Sequence, residues 1–410
     1  MKHWVVFILL IIGQGLFSAC SSDSEFLGAP ADVDHAEVYV SVTLSVGGSQ
    51  GMTRATVTQS GNPSVSLQDG TFQESYIDPD DVELFVFDQD NKFVDRVNII
   101  WRTHSGNTDN VDSPEAQPYQ CHIQGYLNDV SEGNYHIVAI CNQKRGVLKS
   151  NDYSPTRAST TLDDFIDGVT YGSYSADFTV KLLGGSSSSP SNACIPMWGI
   201  CTVPLKQGEN ATAPITVLRS MAKVVVRLAD NVTDFQLTGV TLNVANDGGT
   251  LAAQKTGETV QAYKESSGSY TTAWNKLDET LITTPSIPSG VKPVSEDEEL
   301  RFSEVTEAGV KCYVIYIPEY KNLEGDGVVT TPATISLSIK QGEFDVKDQH
   351  GNNYKLHFAN YSDGKSPNAP QWDIIRNDIY DYTITKIESG LQVKLKVAPW
   401  AEYKHPGVVM

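Results

Sequence analysis

The chain contains 410 residues and has a mass of 44.7 kDa, which is enough for two or three domains. Charged residues make up 20% of the sequence and hydrophobic residues 40%, a composition typical of a globular protein rather than a disordered one. The 30 Lys and Arg residues against 50 Asp and Glu residues give a formal net charge of −20, which argues against a nucleic-acid partner and against docking on an anionic membrane through a basic face.

The first nineteen residues have the pattern of a secretory signal peptide. A short basic start precedes the apolar run from Trp4 to Ile12, which is too short to span a bilayer, since spanning takes roughly 20 residues. Cys20 follows a Ser-Ala pair, a pattern that resembles a bacterial lipobox, in which signal peptidase II cuts before the cysteine and its thiol takes diacylglycerol. We therefore expect residues 1–19 to be a lipoprotein signal peptide and Cys20 to carry the lipid.

The next regular pattern is a strand at residues 38–46. Five apolar side chains alternate there with Tyr, Ser and Thr, which is the period of a half-buried strand: Val38, Val40, Val42, Leu44 and Val46. A glycine-rich stretch follows, and the bond between Arg54 and Ala55 lies in a polar setting that a protease can reach.

The remainder of the chain predicts many short strands separated by turn residues. The strand from Val82 to Phe87 resumes at Phe93 after an Asp- and Asn-rich turn, which indicates a hairpin. Further strands are predicted at 134–142, 178–183, 215–228, 235–244, 311–317, 333–340, 354–358, 379–387 and 391–397, and a helical turn at 162–166. This pattern favours an all-β protein with two β-sandwich domains, 55–205 and 206–410, separated in the polar stretch 206–214.

The sequence contains no recognisable catalytic or metal-binding motif. Patterns for a nucleophile elbow, a dinucleotide or phosphate loop and a zinc protease are absent, and the eight histidines are scattered. The residues from Asp88 begin like a calcium loop but lack its central glycine and terminal Glu in register, so a hairpin turn is favoured. We expect no enzymatic activity, no catalytic residues, no metal and no cofactor.

Cysteine and tryptophan each leave two interpretations open. Five cysteines remain beside Cys20, and an odd number does not indicate a full set of disulfides. Cys194 and Cys201 are close enough in sequence to form one disulfide. For most of the five, a buried thiol is the favoured interpretation. Five tryptophans could stack on sugar rings, although a Trp in a β-sandwich is more often part of the core: Trp101, Trp198, Trp274, Trp372 and Trp400.

Several segments, taken in order, resemble the fimbrillins, the type V pilus subunits of oral and gut anaerobes. They are the lipobox, the alternating strand, the Arg-Ala bond, DVELFVFDQDNKFV at 81–94, YHIVAICN at 135–142, IPMWG at 195–199, LRSMAKVVVRL at 218–228, RNDIYDYTITKI at 376–387 and VAPW at 397–400. The resemblance spans nearly the whole chain. It implies two transthyretin-like β-sandwich domains in tandem and a structural role in a pilus, or fimbrium, used for cell adhesion.

The resemblance also implies a path of maturation. A fatty-acylated precursor on the outer membrane would be cut between Arg54 and Ala55 by an arginine-specific protease, releasing the propeptide 20–54 and leaving the mature chain in a cell-surface fimbrium. Loss of the strand 38–46 would open a groove, and a strand from another copy or a related subunit would fill it head to tail. The candidate donor strand carries an alternating apolar pattern at Leu391, Val393, Leu395 and Val397, although the same pattern also fits an ordinary last strand.

Two other functions remain open from the sequence. One is a lipid-anchored surface protein that binds glycans, and the other is a fimbrial anchor or tip subunit that is not cut. The amino-terminal residue of the mature protein separates the pilus subunit from these two alternatives, because Ala55 indicates a cleaved subunit and lipidated Cys20 indicates an anchor or a glycan binder.

Overall fold

The computed structural model describes residues 38–46, 72–105, 120–143, 149–150, 154–172, 174–175, 177–184, 193–253, 263–266, 269–272, 285–294, 300–307, 310–324, 327–361, 368–386 and 392–399. Within these ranges the fold is mostly β and is arranged in several sheets, which confirms the predicted β character. The described helices are short: α1 (Phe72–Ser75), a 3-10 helix (Pro79–Asp81), α2 (Leu162–Gly168) and α3 (Phe178–Leu183).

The strands follow in chain order. They are β1 (Val38–Val46), β2 (Val82–Phe87), β3 (Phe93–Arg96), β4 (Asn98–Ser105), β5 (Gln120–Leu127), β6 (Gly133–Cys141), β7 (Lys149–Ser150), β8 (Thr170–Gly172), β9 (Met197–Leu205), β10 (Asn210–Arg219), β11 (Ala222–Leu228), β12 (Gln236–Leu242), β13 (Gly249–Thr250), β14 (Tyr263–Ser266), β15 (Ser269–Thr272), β16 (Leu300–Arg301), β17 (Ser303–Glu307), β18 (Val310–Ile317), β19 (Leu323–Glu324), β20 (Gly327–Val328), β21 (Thr334–Gln341), β22 (Phe344–Val346), β23 (Tyr354–His357), β24 (Ala359–Asn360), β25 (Asn368–Gln371), β26 (Asp378–Lys386) and β27 (Gln392–Pro399).

The largest sheet has the strand order β3-β2-β6-β9-β10-β1-β5-β4, and the β14–β15 hairpin is attached to β9. Strand β10 pairs with β1 at residues 210–217 and with β9 at residues 218–219, so one long strand joins two parts of this sheet. Gly199 lies at this junction. A Cβ atom there would lie 2.3 Å from the Thr216 carbonyl oxygen, so a side chain is incompatible with the close approach of the two strands.

The second half of the chain forms two five-stranded sheets. One has the order β17-β18-β11-β26-β27, with β11 antiparallel to β18 and parallel to β26. The other has the order β16-β12-β21-β22, and β23 also pairs with β21. Three smaller sheets are β13-β8-β7, β19-β20 and β24-β25. The inward side chains of these sheets form an extensive buried core.

The hairpin predicted after Phe87 is confirmed. Strands β2 and β3 are antiparallel, and Asn91 has a φ of 59°, a left-handed conformation that asparagine tolerates at a turn. The Asp88 carboxylate accepts the backbone N–H groups of Asp90 and Lys92 at 2.9 and 2.8 Å. The aspartate at the start of this loop therefore stabilises the turn through its side chain, which accepts hydrogen bonds from the loop backbone.

One predicted strand is a helix. Residues 178–183 form α3, in which Phe178, Thr179 and Leu182 are buried while Val180 is exposed. Lys181 lies one turn after Asp177 and forms an ion pair with it at 2.7 Å. The β-branched residues favoured a strand in the sequence, but the burial follows the helical period, and packing outweighs local propensity here. The helical turn predicted at 162–166 is confirmed as part of α2.

The predicted domain boundary falls between strands of one sheet. Strands β9 and β10, on either side of residues 206–209, pair with each other, so strand pairing does not separate 55–205 from 206–410 at that point. After Arg219 the chain leaves the largest sheet, here called the first sheet, and at Ala222 it enters the five-stranded sheet that contains β11, here called the second sheet. Ser220 lies in this passage, where its carbonyl accepts the Tyr171 hydroxyl at 2.9 Å.

Candidate functional site

The strand predicted at 38–46 exists and lies inside the largest sheet. Strand β1 pairs in parallel with β10 and antiparallel with β5, each over eight residues. Its position is interior, because β5 and β4 continue the sheet on one side and β10 and β9 on the other. An amino-terminal strand held on both edges contributes two complete hydrogen-bonded ladders to the fold.

The side chains of β1 divide by face as the alternation predicts. All five apolar side chains from Val38 to Val46 are at most 2% exposed, whereas the Tyr, Ser and Thr residues between them are half-buried. The neighbouring strands leave room for them, since Val40 lies between Gly125 on β5 and Ala211 on β10. The inward face of β1 is therefore fully embedded in the core.

Polar contacts tie the outward face of β1 to both neighbours. The Asn210 amide donates from Nδ2 to Ser41 Oγ at 3.0 Å, and Thr43 Oγ1 lies 3.2 Å from His122 Nδ1. Partial burial lowers the pKa of His122, so its ring is neutral at neutral pH. These contacts supplement the backbone pairing and are much weaker than the burial on the opposite face.

Leu44→Ala tests whether β1 is an integral strand. Leu44 is fully buried and paired with Cys121 and Ile215, so the substitution should lower the free energy of unfolding by about 2–5 kcal/mol. Ser45→Ala is the matched control, because its side chain lies on the outward face and its loss should change stability little. Urea unfolding of the uncut chain measures both. Equal stability of the two variants would show that β1 is not part of the folded precursor.

Only some of the other residues assigned from the sequence lie within the part of the chain that the structure describes. Cys20, Arg54, Ala55 and Leu391 lie outside the described residues. The rest of the candidate donor strand forms β27, at the end of the second sheet, where it pairs antiparallel with β26. Val393 and Leu395 are buried at 1% and 9% exposure, and Val397 packs against the core while partly buried. In this structure β27 thus completes its own sheet.

A buried ionic cluster, here called the Glu74 cluster, joins α1 to the second sheet. Glu74 on α1 is fully buried; its Oε1 lies 2.8 Å from Lys223 Nζ on β11 and accepts the Tyr316 hydroxyl from β18. Arg219 donates from Nε to the Glu74 carbonyl at 2.8 Å and from Nη2 to Ser75 Oγ at 2.9 Å. Paired charges with hydrogen-bonded partners can be buried without the large cost of isolated ones.

The segment after α1 is held from the side of the first sheet as well. Asn142, at the end of β6, donates to the carbonyls of Tyr76 and Ile195, both at 2.8 Å, and accepts the N–H of Asp78 at 2.9 Å. The chain from Glu74 to Asp78 is therefore fixed between the two sheets. It follows the candidate cleavage site in sequence and leads directly into β2.

A second buried cluster, the Arg376 cluster, lies just before β26. The Arg376 guanidinium donates to Glu319 Oε2 from Nε at 2.9 Å and from Nη2 at 2.6 Å, and to the Leu251 carbonyl from Nη1 at 2.7 Å. Both charged side chains are at most 1% exposed. Burial and the nearby Glu319 carboxylate raise the pKa of Asp378 well above its usual range. Donation from Nε and Nη2 to one carboxylate oxygen and from Nη1 to a backbone carbonyl fixes the planar guanidinium in one orientation.

Sequence reasoning assigned no role to these charged residues. Arg219, Lys223 and Arg376 all lie in segments that carried the family resemblance, at 218–228 and 376–387. The available signal was a cation within an apolar strand pattern, as in Met221 to Val226, where Lys223 interrupts a run of buried side chains. A charge in such a position generally has a buried partner, but the sequence does not identify which one.

Most of the described cysteines and tryptophans are buried in the core. Cys121, Cys141, Cys194, Cys201 and Cys312 are buried as thiols rather than in a disulfide, and burial raises the pKa of Cys201 to about 12. A thiol held protonated in this way is unreactive. Trp198 is fully buried, Trp372 is partly buried and Trp101 is 39% exposed; Trp274 and Trp400 lie outside the described residues.

Neither a metal site nor a membrane-spanning helix is present among the described residues. It contains no group of three or more His, Cys, Asp or Glu side chains able to hold a metal ion. None of its helices has both the length and the apolar character needed to cross a membrane.

Comparison with known proteins identifies relatives among fimbrial proteins. A family model described as "Fimbrillin-A associated anchor proteins Mfa1 and Mfa2" matches residues 54–405. The tip fimbrial protein Mfa3 from Porphyromonas gingivalis, with a C-terminal truncation, is 12% identical over 89% of this chain and 100% of its own, with a TM-score of 0.45. A fimbrial assembly protein from Parabacteroides distasonis is 13% identical over 88% of this chain and 100% of its own, with a TM-score of 0.42. No curated protein shows significant sequence similarity to the chain.

The fold and the site define a mostly β protein whose first described strand, β1, occupies the middle of its largest sheet. The chain belongs to the family of fimbrillin-A associated anchor proteins Mfa1 and Mfa2 and is a cell-surface fimbrial protein. This membership confirms the resemblance found in the sequence. The family consists of fimbrial structural proteins, which confirms the expectation that the chain is not an enzyme.

Proposed function

We propose that the chain is a structural pilus subunit that is exported as a lipoprotein on Cys20, cut after Arg54 and polymerised by donor-strand addition at the position of β1. The observation that carries the proposal is the interior position of β1, with five apolar side chains at most 2% exposed. The candidate cleavage site lies between β1 and α1 in sequence, so a cut there removes the covalent bond between β1 and the rest of the domain.

Departure of β1 would create a groove with strong affinity for another strand. The facing edges of β5 and β10 would lose eight-residue ladders, and the inward side chains would leave an apolar cleft. Burial of five such side chains stabilises the precursor by about 8–15 kcal/mol as an upper bound. An incoming strand must therefore bury a similar apolar area before β1 leaves permanently.

Strand β27 is the proposed donor. Its apolar pattern supports this role, whereas its pairing with β26 opposes it. Its inward residues Val393, Leu395 and Val397 alternate as those of β1 do, and β27 lies at the end of its sheet, paired with β26. Donation requires β27 to give up this pairing. The alternative, in which β27 stays in its own sheet, makes the chain a terminal subunit of the pilus.

We further propose that the sheets form two transthyretin-like β-sandwich domains in tandem. Strand β10 supports this architecture, since it pairs first with β1 and then with β9, as strands do when they pass between the layers of a sandwich. The passage between domains would then lie at 220–221 rather than at the boundary expected from composition.

A second candidate is a fimbrial anchor that keeps its lipid and is not cut. The description of the matched family, which names anchor proteins, favours this alternative. In an anchor, β1 would stay permanently in its sheet and Cys20 would hold the chain on the outer membrane. The cluster of hydrogen bonds after α1 is compatible with either role.

The amino-terminal residue of the protein purified from the cell surface decides between the two. Ala55, together with SDS-resistant multimers that collapse on boiling, supports the polymerising subunit. Lipidated Cys20 on the whole population supports the anchor and contradicts cleavage.

Lipidation itself is tested by Cys20→Ala. The variant lacks the only thiol placed to receive diacylglycerol after the Ser-Ala pair, so we expect unprocessed or soluble precursor and complete loss of labelling by a fatty-acid probe. Cys312→Ala is a suitable control, because this thiol is buried in β18 and should not affect labelling. Labelling that persists in Cys20→Ala would refute the lipoprotein assignment.

A further inference from the structure

The outward faces of β4, β5, β1 and β10 form one continuous surface. The strand registers place Trp101, Gln124, Ser41 and Thr212 in a row across the four strands, and the adjacent row begins at Tyr126 and passes through Tyr39 to Asn210. Directly paired residues in neighbouring strands point to the same side of a sheet. The surface covers about 20 Å along the strands and about 14 Å across them.

This surface carries no formal charge at any outward position whose side chain is described. At the chain's overall charged fraction of 20%, fifteen outward positions would hold about three charged side chains, yet none is Asp, Glu, Lys or Arg. His122, the titratable group in the middle, has a pKa lowered by burial. Arg102 of β4 is paired with Ile123, which points into the core, and it bonds to Asp80 at 3.0 Å. A neutral surface of this size on a chain of net charge −20 indicates a neutral ligand.

The chemical groups on the surface suit a carbohydrate. Trp101 is 39% exposed at the edge strand β4, beside the bulge at Ile100, and offers a flat ring on which the C–H face of a sugar can stack. Gln124 and Asn210 carry amides that both donate and accept, and Ser and Thr hydroxyls lie between them. Sugars present apolar C–H faces and many hydroxyls, which these groups match without any charge.

We propose that this surface, the neutral face of β4, β5, β1 and β10, binds a neutral polysaccharide. The lack of cations disfavours anionic ligands such as acidic glycans or nucleic acids, for which Lys and Arg supply the affinity. A surface made of the outward faces of four adjacent strands suits an extended chain rather than a small molecule, which would need a concave pocket. The proposal does not depend on strand exchange, because it concerns the chain in which β1 is in place.

Affinity electrophoresis of the full-length, uncut chain tests the proposal. Native gels containing galactomannan, xylan or pullulan serve as neutral probes, and polygalacturonate serves as the acidic comparison. We expect retardation by at least one neutral polysaccharide and about tenfold weaker binding for Trp101→Ala, since its ring supplies the stacking platform. Gln124→Ala, a second variant on the same row, should also weaken binding. Phe344→Ala is the control, because Phe344 is 79% exposed on a different sheet.

Three results would overturn the proposal. In the first, none of the neutral polysaccharides retards the chain. In the second, only polygalacturonate retards it. In the third, the Trp101→Ala, Gln124→Ala and Phe344→Ala chains are retarded equally. Sedimentation velocity tests whether a second copy of the chain binds this face instead. Self-association that Trp101→Ala abolishes would assign the face to contacts between copies and would also refute polysaccharide binding.

Discussion

Replacing Glu74 with alanine is expected to lower the free energy of unfolding by about 3–5 kcal/mol, because the change removes the carboxylate partner of a buried ammonium group. Glu74 and Lys223 are 0% and 4% exposed, and their charged atoms are 2.8 Å apart. The same substitution removes the acceptor for the Tyr316 hydroxyl. The loss should appear as a lower midpoint in urea unfolding of the purified chain.

The chain offers a closely matched control in Glu304→Gln. Glu304 also lies 2.8 Å from a lysine, Lys311, and also accepts a tyrosine hydroxyl, that of Tyr313, but both charged side chains of this pair are 54% exposed. Exposed ion pairs contribute little, since water solvates the separated charges well, so Glu304→Gln should leave the unfolding midpoint nearly unchanged. The two ion pairs therefore match in distance and in partners and differ in burial, while the alanine substitution at Glu74 also removes side-chain volume.

A double substitution separates loss of charge from loss of packing. Glu74→Met combined with Lys223→Met replaces the buried pair with apolar side chains, and it should recover much of the stability that Glu74→Ala loses. If Glu74→Ala unfolds at the same urea concentration as Glu304→Gln, the Glu74 cluster does not stabilise the fold.

Local patterns in the sequence were sufficient to predict β1 and the β2–β3 hairpin. Both predictions depended on alternation and on turn residues, which are properties of adjacent positions. Strand β5 was missed although Cys121, Ile123 and Leu127 alternate, because Gly125 interrupts the apolar pattern. The structure explains this glycine, since a Cβ atom there would lie 2.6 Å from the Asn98 carbonyl oxygen on β4.

Long-range contacts could not be predicted from one sequence. The partners of β1 are β5 and β10, and its Tyr39 pairs with Tyr126 and with Asn210, far away in the chain. The partners of Glu74 could not be predicted either. Local sequence indicates a solvent-exposed acid at this position, whereas the fold places Lys223 of β11 and Tyr316 of β18 beside it. Alternation identified which face of β1 is buried, but the strands that flank β1 emerged from tertiary pairing alone.

Arg54→Ala is expected to abolish polymerisation while leaving the precursor folded. In the uncut chain β1 is covalently joined to the rest of its domain, so it competes for the groove at an effective concentration on the order of mM, far above that of a donor strand from another subunit. Cleavage after Arg54 removes this advantage, and only the two ladders and the buried side chains then hold β1 in place. The variant should retain residues 20–54 and remain monomeric under conditions in which the natural chain forms SDS-resistant multimers.

The specificity of the protease gives this prediction a second variant. Arg54→Lys keeps the positive charge but lacks the planar guanidinium, so an arginine-specific enzyme should leave it uncut and the chain monomeric. Stability in urea should match that of the natural precursor in both variants, since β1 stays in its sheet. Addition of trypsin, which also cuts after lysine, should restore cleavage and assembly in Arg54→Lys but not in Arg54→Ala. Pili of normal length assembled from uncut Arg54→Ala protein would refute strand exchange at β1 and make this strand a permanent part of the domain.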